Sequence, residues 1–363
     1  MKKKTKIYLY NPYPAIGGVD TTIKRLLFSL DRSYEIEYLS LKKAENYKRK
    51  NIKNTVIKSS STLRSFFQIY KIFKNDKHKN KIFISIQYFV NIWSIIFIKL
   101  LLNGKLLIYE VNHIDEFKYF KNFTDYIKKK IMKILIKFLY RYPDIIIANS
   151  KELSLDLSKY IKRKIYTLYN PCFEKIKNKK KFYKAKNKIK ILNISRFENQ
   201  KDHLTLLKGF KNSKYNNKFL LHLVGYGYNE NKLRKYIDHH NLNNVKIFKN
   251  RFKLNNFYKK ADLFILTSIY EGFPNVLVEA ASFRIPIISS NFESGASEIL
   301  LNGSGGTTFE VKNYKKLSNK IDQFYLNEKL FLNKEKICAN ALYRFSNKKI
   351  IKDFNKIIND LSK

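Results

Sequence analysis

The stretch ADLFILTSIYEGFPNVLVEAASFRIPIISS, residues 261–290, decides how the rest of this chain is read. Its LFIL run is short and wholly apolar, and IPIISS repeats that character farther on. Between them lie the loop IYEGFP and a burst of good helix formers. A buried strand, a helix and a second buried strand in that order predict a parallel βαβ unit, because strands covered on both faces read as continuous apolar runs. Pro274 fits the first helical position, where its missing N–H is no loss. Glu271 then falls at the lip of the strand and Glu279 about one turn inside the helix. The unpaired N–H groups of a helix start favour anions or ligand hydroxyls and carbonyls. Carboxylates accept from adjacent hydroxyl pairs, which points to sugar rings. The plainer alternative is one Glu near a helix start for dipole reasons and another on a solvated face.

The same alternation extends in both directions. Downstream of a charged stretch, EKIKNKKKFYKAKNKIK, come the strand IKILNISR, a helix from Asp202 to Asn212, the strand FLLHLVGYG, a helix NENKLRKYIDHH, NVKIFKN and a short helix around NNFYKK. Upstream, KIYLY, EIEYLSL, KIFISIQ, KLLIYEV and DIIIANS read as strands, with helices over TTIKRLLFSL and STLRSFFQIYKIFK. Two such series predict an α/β protein of two doubly wound, Rossmann-like parallel-sheet domains facing across a cleft, with a ligand outside the carboxyl ends of the strands. The expected boundaries are a first domain over 1–173, a basic linker over 174–190, a second domain over 191–340, and a terminal helix over 341–363 that crosses back to the first.

Composition agrees with two ordered domains, since 363 residues exceed the size at which one core usually keeps growing. Hydrophobic residues make up 44%, with only 11 Gly and 6 Pro, which excludes a disordered chain. Cys172 and Cys338 alone make neither a disulfide scaffold nor a four-ligand zinc site, so a cytoplasmic setting is expected. The N-terminus MKKKTKIYLYNPYP lacks the apolar run and cleavage site of a secretory signal. Gln87, Asn91 and Lys99 interrupt the most membrane-like stretch, Ile82 to Leu102, which parses as a strand and a buried helix. The 73 Lys and Arg against 29 Asp and Glu give a net charge of +44, which attracts polyanions or, as the plainer alternative, reflects compositional bias.

The basic residues that matter are placed by the strand order. NISRFENQKDHLTLLKGF sets Arg196 just after a strand and Lys201 just before a helix, so both project at the strand-end edge where the two acids lie. A guanidinium and an ammonium there suit a diphosphate, the first by bidentate hydrogen bonding and the second as a point charge. LVGYG, with Gly225 and Gly227, supplies another strand-end loop where backbone can approach a ligand. No Asp-x-Asp cluster occurs in the chain, and no metal or other cofactor is expected.

Taken together, NISRFENQKDHLTLLKGF, LHLVGYG, YKKADLFILTSIYEGFPNVLVEAASFRIPIIS and SGASEIL resemble the group 1 (family 4) retaining glycosyltransferases of the two-domain GT-B fold. The resemblance covers most of the chain and is strongest from about Ile191 to Leu300. It implies that Arg196 and Lys201 bind the nucleotide diphosphate and stabilise the departing charge. It places Glu271 near the donor sugar and Glu279 on the ribose hydroxyls, with Gly225 and the Gly272, Phe273, Pro274, Asn275, Val276 and Leu277 backbone gripping sugar and phosphate. In the first, acceptor-side domain, Gly17 and Gly18 resemble the family's glycine loop, Asp20 the acid that follows it, and His113 the strand-end histidine at the donor sugar. Ser150 matches a ligand-contact landmark, and Asn170 with Pro171 one that shapes the domain junction.

The expected activity is transfer of a sugar, from a UDP-sugar ahead of a GDP-sugar, to a hydroxyl of a glycan or a polyprenyl- or other lipid-linked acceptor in cell-surface polysaccharide, lipopolysaccharide or glycolipid synthesis. The basic, aromatic-rich stretch from Phe117 to Arg141 is expected to lie on an anionic membrane; snorkelling lysines on a packed helix are its plainer reading. That makes the protein peripheral on the inner face of the cytoplasmic membrane, with nucleic acid not an expected partner. A sugar-nucleotide epimerase on the same fold and a non-catalytic polyanion binder stand as alternatives.

Overall fold

The computed structural model describes residues 5–14, 18–43, 49–120, 122–177, 188–249 and 254–363. Gly17 and the greater part of the basic linker, 178–187, lie outside them. The chain divides into two compact units, one made of Met1–Pro171 with Asn347–Lys363 and the other of Cys172–Ser346.

In the first unit the order is β1 (Lys6–Tyr10), α1 (Gly18–Ser29), β2 (Glu35–Ser40), β3 (Ile52–Val56), α2 (Thr62–Asn75) and β4 (Lys81–Ile86). There follow α3 (Tyr88–Ser94), which continues as a π-helical segment to Leu100, then β5 (Lys105–Glu110), α4 (Phe123–Leu139), β6 (Ile145–Ala148), α5 (Lys151–Ile161) and β7 (Tyr166–Thr167). Every pairing is parallel and the strand order is β3-β2-β1-β4-β5-β6-β7. Alternate residues of β1 feed opposite cores: Tyr8 and Tyr10 join Phe66, Phe83 and Ile136 on one face, while Ile7 and Leu9 join Leu26, Leu27 and Tyr38 on the other. The stretch from Ile82 to Leu102 lies within this architecture as β4 and α3, and no helix among the described residues is long and apolar enough to cross a membrane.

The second unit runs β8 (Ile189–Ile194), α6 (His203–Asn212), β9 (Phe219–Val224), α7 (Glu230–His239), β10 (Val245–Phe248), α8 (Asn255–Lys260) and β11 (Leu263–Leu266). It closes with α9 (Asn275–Ser282), β12 (Ile287–Ser290), α10 (Ala296–Ile299), β13 (Thr307–Phe309), α11 (Tyr314–Leu326) and α12 (Glu328–Asn340). Its sheet is also wholly parallel, in the order β10-β9-β8-β11-β12-β13. Both sheets therefore wind outward in two directions from a central pair, β1/β4 in the first unit and β8/β11 in the second, and such a reversal opens a crevice at the carboxyl ends of the strands.

The terminal helix α13 (Asn347–Ser362) belongs to the first unit. Its buried Ile350, Phe354 and Ile358 recur at helical spacing and pack with Ile7, Leu26 and Leu27. Asn355 adds a hydrogen bond to the Ser29 carbonyl at the end of α1. Because Phe354 is 3% exposed, Phe354→Ala is expected to destabilise the first unit by about 3–5 kcal/mol in urea unfolding. A loss below about 1 kcal/mol would show that α13 is dispensable to that core.

Candidate active site in the second unit

The loop after β8 and the loop after β11 leave neighbouring strands and are stitched together. The Ile269 amide donates to the Gln200 carbonyl at 2.8 Å, the Gln200 side-chain amide to the Tyr270 carbonyl at 2.7 Å, and the Thr267 hydroxyl to the Lys201 carbonyl at 2.9 Å. These bonds hold Lys201 over the strand ends, where its ammonium pairs with Oε1 of Glu271. The Ser268 hydroxyl donates to that same oxygen at 2.7 Å. Both charged side chains are almost covered, with 13% of Lys201 and 10% of Glu271 exposed. Little water screens the pair, so its field is far stronger than that of a surface ion pair.

Arg196 takes a different place. Its guanidinium is half exposed and pairs with Glu198 at 2.9 Å. The two cations expected together are thus on one loop, with Lys201 engaged by Glu271 and Arg196 by an acid two residues along. Glu279 lies on α9, where its Oε2 accepts from the Tyr258 hydroxyl at 2.8 Å.

Pro274 is the N-cap of α9 and not its first helical residue. Its φ of −80° fits either position, but ψ of 85° is outside the helical well, so the helix opens at Asn275. The Phe273 and Leu277 side chains are buried, with Phe273 meeting the Phe345 ring edge-on at 5.3 Å. Only their backbone is then placed to meet a ligand. The loop after β12 packs on this turn through Ser294, whose hydroxyl donates to the Gly272 carbonyl at 2.6 Å from a left-handed backbone with φ of 79°. Gly295 follows at φ 82°, and a Cβ there would stand 2.8 Å from Cδ of Pro274.

Gly225 has a structural duty. A Cβ on it would lie 1.9 Å from the Ser195 carbonyl oxygen, because the loop after β9 runs against the backbone of residues 195–197. The Phe197 amide donates to the Tyr226 carbonyl at 2.8 Å across that contact. The close approach that the sequence assigned to a ligand is made here by protein backbone, and it fixes the Arg196 loop.

Sequence reasoning passed over His203, the first residue of α6. It is 3% exposed. The Ser195 hydroxyl donates to Oδ1 of Asn193 at 2.9 Å, so its 2.8 Å contact with Nε2 of His203 requires the histidine N–H as donor. Burial, aided by neighbouring Lys201, pushes the imidazole down to about 3. A buried polar residue inside KDHLTLL was the available signal.

In the first unit, His113 follows β5, is 1% exposed, and its Nε2 lies 3.2 Å from Oδ2 of Asp156 on α5. Gly18 is the first residue of α1 and Asp20 lies in its first turn. Ser150 caps α5, accepting from the Leu153 amide at 3.1 Å. Asn170 accepts from the Tyr109 hydroxyl at 2.9 Å, and the Pro171 carbonyl accepts from Arg25. Two further acids flank His113. Burial pushes Glu116 up to about 7, against a 2.8 Å hydrogen bond from Asn112. Burial also holds Glu110 well above the usual carboxylate range, although Tyr140 and Asn91 donate to its Oε1.

Two all-parallel α/β units, each with its reversal at a central strand pair, are the GT-B architecture. Solved structures agree: the sucrose-phosphate synthase of Thermosynechococcus elongatus superposes with a TM-score of 0.81 at 15% identity, covering 99% of each chain. The Anabaena Alr3699/HepE protein, crystallised with UDP and glucose, does so with a TM-score of 0.78 at 15% identity, covering 98% of this chain and 100% of that one. Residues 174–343 match the family model "Glycosyl transferases group 1". An uncharacterized glycosyltransferase of Methanocaldococcus jannaschii, MJ1059, is 28% identical over 360 residues, covering 88% of this chain and 86% of its own. The Campylobacter jejuni GalNAc-alpha-(1->4)-GalNAc-alpha-(1->3)-diNAcBac-PP-undecaprenol alpha-1,4-N-acetyl-D-galactosaminyltransferase is 26% identical, covering 90% of each chain. By this match and these relatives the chain resembles the group 1 glycosyltransferases, on a GT-B fold.

The His203 environment gives a pH test. A base depressed in the fold contributes fully above its unfolded value, near 6.5, and that contribution is lost as the pH falls toward about 3. Between about pH 6 and pH 4, wild-type stability should fall faster than that of His203→Gln, by about 1.4 kcal/mol per pH unit. Equal slopes in urea unfolding would contradict a buried neutral imidazole.

Proposed function

We propose that the chain transfers a sugar from a nucleoside diphosphate sugar, UDP-linked ahead of GDP-linked, to a hydroxyl of a glycan or lipid-linked acceptor. Transfer proceeds with retention at the anomeric carbon and without a metal, as in family 4. The observation that carries this reading is the covered Lys201–Glu271–Ser268 cluster at the β8/β11 reversal, with Glu279 on the helix that follows. Departure of the diphosphate builds negative charge, and a preorganised cation in a water-poor site stabilises it at no cost in reorganisation. Lys201 has three N–H donors, of which Glu271 takes one. Arg196 is expected to leave Glu198 for the diphosphate. Glu271 orients Lys201 and the donor sugar, Glu279 receives the ribose hydroxyls, and the α9 start offers its backbone to phosphate. Of the residues expected at the sugar, His113 and Gly18 belong to the first unit, and Gly17 lies outside the described residues.

Two comparisons support the donor and the acceptor class. Alr3699/HepE was crystallised with UDP and glucose, and the C. jejuni relative is named for a substrate linked to undecaprenol. Lys201→Ala and Arg196→Ala are each expected to lower the turnover of a UDP-sugar by about 100-fold or more, read as UDP release. Proton NMR of the product should show the donor's anomeric configuration kept. Near-normal turnover in both variants would remove the diphosphate assignment, and an epimerised sugar nucleotide with no transfer product would favour the epimerase.

We also propose that the protein works peripherally on an anionic membrane, at its cytoplasmic face. Helix α4 presents three faces. Ile136, with Met132, Leu135 and Leu139, packs on the first unit's core, while Phe123, Ile127, Ile131, Ile134 and Phe138 are exposed and recur every three or four residues. Lys128, Lys130 and Lys137 are exposed beside them. An apolar stripe with basic neighbours fits the boundary between headgroups and acyl chains, and each well-placed Lys adds about 1 kcal/mol against anionic lipid. Wild type should co-sediment with phosphatidylglycerol vesicles and less with phosphatidylcholine ones. The exposed-face variant Phe123→Ser/Ile127→Ser/Ile131→Ser should lower that partition by about 10-fold or more while leaving thermal stability unchanged. Unaltered partition would overturn the α4 docking face, and a loss of self-association in its place would make that face a contact with a second copy.

A further inference from the structure

Glu279 does not stand alone on its helix. The Tyr258 hydroxyl that reaches its Oε2, at 2.8 Å, comes from α8 and belongs to a side chain only 2% exposed. That ring is locked on two sides. It stacks on Phe283, the C-cap of α9, with centroids 5.2 Å apart and planes at 16°, and lies 6.0 Å from the ring of Phe264 on β11. The hydroxyl is therefore fixed relative both to the helix carrying Glu279 and to the strand that leads into the Glu271 loop. Burial, together with the adjoining Glu279 carboxylate, holds the phenol well above its usual range, so it stays a donor at any working pH. A carboxylate on a helix otherwise samples several staggered rotamers, and freezing them when a ligand arrives costs affinity.

We infer that Tyr258 is a positioning residue for the nucleoside half of the donor: its hydrogen bond to Oε2 presets the Glu279 carboxylate to accept from the two adjacent ribose hydroxyls. This rests on the donor-site reading given above. The recognised feature is the ribose diol, common to every ribonucleoside diphosphate and lost in 2′-deoxy analogues. Tyr258 touches neither the sugar nor the phosphates, so it acts on KM for the donor and leaves kcat near wild type.

The test compares binding of ribo- and 2′-deoxyribonucleoside diphosphates by titration calorimetry, using UDP with 2′-deoxy-UDP and the matching GDP and ADP pairs. Wild type should favour the ribo form of its preferred base by about 10-fold or more. Glu279→Ala should bring that ratio close to one. Tyr258→Phe keeps the ring and its stacking and should lower the ratio roughly 3-fold, with the thermal midpoint near wild type. If Glu279→Ala loses the preference while Tyr258→Phe keeps it, or weakens both ligands equally, the positioning role is overturned and the donor site stands. If wild type binds no ribonucleoside diphosphate, or binds both forms alike, the donor-site reading falls and the role of Tyr258 with it.

Discussion

Parallel pairing is the constraint from which the second unit follows. Each strand must return by a crossover on one face of the sheet, so all six strands end at the same edge. Crossovers leave β8 and β11 toward opposite sides of the sheet, and the loops that follow these neighbours meet only at that edge. Lys201 and Glu271 are the side chains that face each other there. Their pairing is costly to bury, and breaking it from one side would strand a charge among covered atoms. That asymmetry suits a site in which an incoming anion shares the Lys201 ammonium with the Glu271 carboxylate.

What holds the two loops is mostly neutral. The Gln200, Thr267 and Ser294 side chains donate to backbone carbonyls of the facing segments, Ser268 holds the Glu271 carboxylate, and Gly225 lets the β9 loop press on the carbonyl of Ser195. Beneath them the chain Asn193–Ser195–His203 keeps an uncharged imidazole beside the Lys201 ammonium. An imidazolium there would repel the ammonium and weaken the site's selectivity for one charge pattern. The support is therefore built from groups whose charge does not change near neutral pH, which leaves the ionic work to Lys201, Glu271, Arg196 and Glu279.

Much of this was legible in the residues. Short, mostly apolar runs such as LFIL and KLLIYE, bounded by turn residues, read as strands buried on both faces, and their alternation with helical periods set the architecture. The spacing of Glu271 and Glu279 around Gly-Phe-Pro-Asn located the turn and the helix, with the start displaced by one residue at Pro274. Three edge strands were missed for physical reasons. IKNTV in β3 is half polar because it lies at the sheet margin, while YT in β7 and TTF in β13 are too short to show a period. Side-chain partners were the least legible. Nothing in the spacing of Arg196 and Lys201 says that one turns to Glu198 and the other to Glu271, since both acids lie within reach and local packing decides. Tyr258 and His203 gained their neighbours through tertiary contacts, which no pattern in one chain records.

A nucleoside diphosphate at the β8/β11 reversal would be seen in a crystal structure of the protein with UDP or a UDP-sugar. The diphosphate is expected beside Lys201 and the start of α9, with Arg196 withdrawn from Glu198 and the ribose hydroxyls on Glu279. A nucleotide bound elsewhere, with the Lys201–Glu271 pair undisturbed and Glu279 out of its reach, would contradict this placement.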